Sequence, residues 1–337
     1  MTPPRVSSPA STGGAGTLFE QNVAAYWLAQ LLVRGIPPIL IETTVEEVQL
    51  QTEHLGWHTD DFLIVCGRPG SAARKLAGQV KRTFTVSSAD EACQKAVKDF
   101  WNDFKDESKF SPTDDRLVLV TQRGTTTLLE HFAGLLDCAR AARDGADFAC
   151  RLKTNGLISK KSVHYCGELC KIVGDVEGTT VAAADIWPFL RLLHVLSLDL
   201  HTATRQTEAL MTSLLAHTAT EGNASEVARA SWNSLLTVAG TAMAEARCLR
   251  HDDLPADLRQ RHGAIGTEEQ HILRALKDHT SPILRRIRST IGQNFHLERA
   301  GLVQNVLGEL ETAQVVLISG PAGSGKYTIG KNDAALP

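Results

Sequence analysis

Two short runs, Asp61–Cys66 (DFLIVC) and Leu76–Phe84 (LAGQVKRTF), constrain this chain more than any other feature. Between them stands Arg68-Pro69-Gly70-Ser71, and Pro and Gly punctuate a chain into a reversal. The two runs therefore pair as a hairpin. The first is apolar at consecutive positions, which is the mark of a strand covered on both faces. Its surroundings have to supply helices for both sides of a sheet.

The neighbouring segments supply them. A helix is predicted over 18–34, with Leu18, Phe19, Val23, Tyr26, Trp27 and Leu31 three or four residues apart and Gly35, Pro37 and Pro38 as its stop. Thr17 and Glu20 have capping-box spacing, as do Ser88 and Glu91. The second box opens a helix lined by Ala92, Ala96, Val97, Phe100, Trp101 and Phe104. Strands are expected at 45–50 and 116–121, and a helix over 125–143. The order α-β-β-β-α-β-α suits an α/β domain with a mixed sheet flanked by helices.

At roughly 150 residues per domain, 337 residues predict about two domains. The expected organisation is a flexible leader (1–15), the α/β domain (16–146), an all-α domain (147–311) and the start of another domain (312–337). Helices of the all-α part are predicted at 186–200, 203–217, 224–249, 268–291 and 297–310. No stretch approaches the ~20 apolar residues of a membrane span, and the N-terminus has no secretory signal. Seven scattered cysteines fit reduced thiols in a cytoplasm. His164, Cys166 and Cys170, with Cys150, match no common zinc spacing. A net charge of −3 excludes a globally basic nucleic-acid coat. A local basic site remains open, because residues 62–89 contain no acid while holding Arg68, Arg74, Lys75, Lys81 and Arg82.

The chemistry concentrates in the hairpin. An acid, Asp61 (or its neighbour Asp60), precedes one strand, and Gln79 and Lys81 are expected to share a face of the next. A carboxylate and an amide oxygen suit Mg²⁺, with Mn²⁺ as a substitute, since these ions take oxygen ligands and keep several waters. Such an ion lowers the pKa of a bound water and offsets charge on a phosphate. A lysine beside it orients the attacking water.

Asp61 followed by Gln79-Val80-Lys81 resembles the PD-(D/E)xK nuclease signature, in the variant with Gln for the second acid, as in Mrr-type restriction endonucleases and anti-phage effectors. The resemblance covers about residues 16–125 and implies a restriction-endonuclease-like fold. It implies metal-dependent cleavage of double-stranded DNA in anti-phage defence. Asp61 and Gln79 would be ligands, Lys81 the water-orienting cation, and Glu20 on the first helix a further ligand or catalytic group. Arg68, Arg74, Lys75 and Arg82 would contact DNA phosphates, and a homo-oligomer is expected. The alternatives are a degenerate DNA-binding or oligomerisation module, or the N-terminal fragment of an NTPase sensor.

Near the C-terminus, Gly320-Pro-Ala-Gly-Ser-Gly325-Lys326-Tyr327-Thr328 follows an apolar strand and has the P-loop spacing that cradles phosphates. Gly320, Gly325, Lys326 and Thr328 are the nucleotide-binding candidates. Tyr327 stands where Ser or Thr would hold Mg²⁺, and too few residues follow for an acidic second motif, so ATP is expected only in a longer protein. The segment 187–200 is similar to linkers that join a nuclease to a STAND-type NTPase. That likeness makes the chain the N-terminal part of such a defence protein.

Overall fold

A computed structural model describes residues 14–67, 72–122, 125, 127–200, 205–220 and 222–263, with short strands at 290–291 and 295–296. These last two, β7 (Thr290–Ile291) and β8 (Phe295–His296), form an antiparallel pair in a second compact unit. The leader up to residue 13, most of the helix expected at 268–291, the helix at 297–310 and the glycine-rich loop lie outside the described residues. Residues 290 and 291 are strand rather than helix.

The first unit is built on a six-stranded sheet in the order β5-β4-β3-β2-β1-β6. The strands are β1 (Thr44–Leu50), β2 (Phe62–Gly67), β3 (Arg74–Val80), β4 (Arg116–Thr121), β5 (Leu193–Ser197) and β6 (Cys248–Arg250). β1, β2 and β3 form an antiparallel meander, and β6 adds antiparallel to β1. β3, β4 and β5 run parallel, so the sheet is mixed. β3 thus joins the antiparallel half to the parallel half.

Helices cover both faces, as the continuous apolar run of β2 requires. Phe62, Ile64, Leu76, Val80, Val118 and Val120 face one core. α1 (Gly14–Val33), α7 (Gln206–Thr218), α8 (Ala224–Ala244) and α9 (Ala256–Arg261) complete it. Leu63, Ala77, Leu117 and Leu119 face the other. That side is closed by α2 (Glu91–Lys105), α3 (Ala133–Ala141), α4 (Gly145–Lys153), α5 (Lys160–Glu177) and α6 (Ala183–Leu190). A turn of π-helix, Thr127–Phe132, leads into α3.

Several local expectations need correction. α1 begins by Gly14, which puts Thr17 inside the helix rather than at its cap. From Asn22 onward α1 is buried on every side, because α7 and α8 enclose it. The cap of α2 is Asp90, whose side chain accepts from the Cys93 amide. Ser88 instead donates through both its amide and its hydroxyl to Glu168 of α5. β3 ends at Val80, four residues short of the expected Phe84. The helix expected over 186–200 ends at Leu190, and the chain continues as β5. The run Leu192–Leu200 is mostly apolar, broken by His194, Ser197 and Asp199, and a short run of this kind suits a helix or a buried strand. Pairing of Leu193–Ser197 with Leu117–Thr121 decides for strand. The helix expected to reach Leu249 stops at Ala244, and β6 follows. Residues 147–263 are thus mostly helical, yet they supply two strands to the same sheet, and packing is continuous across residue 146.

Gly78 shows how tightly the hairpin is built. It lies opposite Phe62, whose ring covers it and packs on Trp27 with ring centres 5.6 Å apart. A Cβ at Gly78 would overlap that ring. Gly78→Ala is expected to destabilise the protein by about 1–3 kcal/mol, read as a lower urea midpoint with unchanged slope.

Candidate active site

At the end of the β2–β3 hairpin, past the last paired residues Phe62 and Gly78, three polar side chains converge. Asp61 precedes β2, and its Oδ2 accepts from the Val80 amide at 2.6 Å. Lys81 follows β3, anchored by its amide to the Val120 carbonyl, and its Nζ lies 3.8 Å from the same Asp61 oxygen. Glu20 reaches the group from α1. Glu20, Asp61, Gln51 and Val80 line one small pocket.

The electrostatics follow from burial. The Asp61 carboxyl is pushed up to about 6, first by desolvation. Lys81 and the Val80 amide oppose the shift, while Asp60 and Glu20 add to it. Glu20 is also raised, chiefly by burial, with Lys81 lowering and Asp60 raising it. Carboxylates thus crowd around Lys81 in a poorly solvated place, and added positive charge would stabilise their ionised forms.

Gln79 is held differently from the expected arrangement. It is fully buried, and its Nε2 donates to Asp60 at 3.0 Å and to Asp99 of α2 at 3.5 Å. Lys95 of α2 ties the same two carboxylates, at 3.3 Å to Asp60 and 2.9 Å to Asp99. Burial opposes the charge of Lys95, but the hydrogen bonds and charges of Asp99 and Asp60 outweigh it and raise its pKa. Gln79 therefore turns toward α2, while Lys81 turns toward Asp61. The expected shared face fails because β3 ends between them and strict alternation ends with it. Asp60 adjoins both groups. Asp99 and Lys95 join this group without having been singled out in the sequence, where their only signal was the i, i+4 spacing of a lysine and an acid on α2.

The Gln79 Oε1 is buried and has no hydrogen-bond partner. The two desolvated carboxylates, Asp61 and Glu20, supply oxygens of the kind a divalent cation takes while it keeps several waters. No group of three His, Cys, Asp or Glu side chains among the described residues is placed to hold a metal ion by itself. That count includes the histidine and cysteines around residue 166, and all seven cysteines are free thiols.

The basic candidates do not gather here. Arg68 lies outside the described residues. Arg74 and Lys75 sit at the opposite end of β3, about 20 Å from Val80 at 3.3 Å per residue. Lys75 is occupied there, with Nζ donating to the Lys109 carbonyl at 2.6 Å and lying over the Trp57 ring. Arg82 adjoins the site and donates to Gln122 at 3.0 Å. No helix among the described residues is long and apolar enough to cross a membrane.

No protein-family model matches the chain, and no curated protein matches it. Among solved structures it is similar to Cap4 SAVED/CARF-domain receptors. The Acinetobacter baumannii receptor with the cyclic trinucleotide 3'3'3'-cAAA shows 11% identity and a TM-score of 0.36, covering 83% of this chain and 50% of that one. The Moraxella osloensis receptor shows 12% identity and a TM-score of 0.36, covering 84% and 54%. The chain spans about half the length of these receptors. At such values neither fold nor function transfers, and the site is interpreted from its own residues.

The raised Asp61 has a consequence for stability. Its folded carboxyl holds a proton more tightly than the unfolded one, so ionisation costs stability as pH rises from 3.8 through about 6. In metal-free buffer at pH 8, Asp61→Asn is expected to be more stable than wild type, by up to about 3 kcal/mol. The difference should close below about pH 4, as thermal scans across pH would record.

Proposed function

We propose that this chain is a metal-dependent endonuclease that hydrolyses phosphodiester bonds of double-stranded DNA. The observation that carries the proposal is the convergence of Glu20, Asp61 and Lys81 at one end of the β2–β3 hairpin. The meander, the intervening α2 and the parallel β4 follow the element order that the PD-(D/E)xK resemblance implies.

Asp61 and Glu20 would hold Mg²⁺ or Mn²⁺, while Gln79, expected as a further ligand, is engaged by Asp60 and Asp99. Bound there, the ion would lower the pKa of a coordinated water and offset charge on the scissile phosphate. The protein's own groups do the rest. Asp61 is ionised above about pH 6 and, being buried, exerts its charge through a medium of low polarity. Lys81 is partly open to solvent, at 24% side-chain exposure, and can reach a phosphate or an attacking water without leaving Asp61. Its three donors allow it to hold the carboxylate and an incoming oxygen together. Arg82 is the described basic residue nearest to accompany the DNA backbone. The anti-phage role, control by a STAND-type NTPase and assembly into a homo-oligomer rest on the family resemblance alone.

A second reading is a DNA-binding or oligomerisation module with a degenerate site. Its support is that Gln79 is held by Asp60 and Asp99, and that no three-ligand acidic cluster is formed among the described residues.

Supercoiled plasmid with Mg²⁺ separates the two. The nuclease reading expects nicking that EDTA abolishes and that falls at least about 100-fold in Asp61→Ala and in Lys81→Ala. Folded wild-type protein that binds duplex without nicking it, in Mg²⁺ and in Mn²⁺, would establish the second reading.

A further inference from the structure

The starting edge of the parallel strands carries charge that the active site does not use. Arg74 opens β3, Arg116 opens β4, and Arg191 lies just ahead of β5, with Leu192 between. Arg116 pairs with Leu76 across the ladder, so Arg74 and Arg116 stand in the same phase of the pleat, one step apart. The Leu117 amide bonds the Leu192 carbonyl, which brings Arg191 alongside.

None of the three guanidinium groups forms an ion pair with a carboxylate among the described residues. Arg74 gives Nε to the Asp114 carbonyl at 2.9 Å, leaving its two terminal nitrogens. Arg116 gives one terminal nitrogen to the Asp115 carbonyl at 2.6 Å and the Thr113 carbonyl at 3.3 Å. Arg191 is exposed and lies over the Trp187 ring, 5.1 Å from its centre. The nearest acids are already engaged. Asp115 accepts from the Lys75 and Ser111 amides, and Asp114 accepts from the Ser111 and Thr113 hydroxyls. They moderate the local charge but leave the guanidinium forks open. Mutual repulsion is felt, since burial and then Arg74 and Arg191 lower the pKa of Arg116. Nearby, burial, Arg140 and Arg116 push the His194 imidazole down to about 4, which keeps it neutral.

Guanidinium forks match phosphate oxygens two at a time, and a fork on an aromatic ring is held in place for such contact. We propose that Arg74, Arg116 and Arg191 form a phosphate-binding site at the β3–β4–β5 edge, at the opposite end of β3 from Asp61 and Lys81. Its ligand carries phosphate groups, either as the backbone of a nucleic-acid strand or as a small phosphate ester. The site stands whether or not the carboxylate centre cleaves DNA.

The test uses the whole chain in EDTA. Anisotropy follows a short fluorescein-labelled single-stranded DNA, and calorimetry follows pyrophosphate. The Arg74→Gln/Arg191→Gln double variant should weaken binding at least about tenfold and flatten the salt dependence by roughly 0.7 per lost phosphate contact. Arg191→Gln alone should show part of the loss, and it keeps the fold testable because the Arg191 guanidinium donates no hydrogen bond among the described residues. Arg229→Gln, on the exposed side of α8, should bind like wild type. Loss on the DNA arm alone identifies a strand backbone, and loss on the pyrophosphate arm identifies a small ester. The proposal is overturned if wild type binds neither probe. It is equally overturned if the variants melt like wild type and bind both probes as tightly.

Discussion

The hydrogen bond from the Val80 amide to the Asp61 carboxylate governs both the architecture and the chemistry of this protein. The β2–β3 ladder has its last pair at Phe62 and Gly78, and the Asp61 side chain continues the join one step further. It satisfies a main-chain donor at a strand end, where an unmet donor would be costly. Burial gives that carboxylate its high proton affinity, which the Val80 amide and the neighbouring Lys81 oppose. Closure of the hairpin and preparation of the site are one event.

Much of this was legible in the sequence because it depends on local pattern. The pairing of β2 with β3, the buried run of β2 and the amphipathic α2 each rest on residues near one another in the chain. The proximity of Asp61 and Lys81 was legible for the same reason: a hairpin fixes which strand ends meet. The failures came where partners are distant. The apolar segment after Leu190 could satisfy a helix or a strand, and only its ladder with β4 decides. Arg74 and Lys75 stand near Lys81 in number, yet an extended strand separates them by about 20 Å. Gln79 follows the crossing of α2, which brings Asp99 and Lys95 to it, and no spacing within β3 encodes that.

The amide at position 79 answers to its charged surroundings. Asp60 and Asp99 both lie within reach, and Lys95 compensates them. A glutamate here would add a third carboxylate to a fully buried position, where like charges force one acid to stay protonated. It would also lose the donor that both aspartates accept from. Glutamine solves this with its two ends: the NH₂ group satisfies the aspartates, and the carbonyl stays free as a neutral oxygen. The amide at position 79 is therefore coupled to Asp60, Lys95 and Asp99.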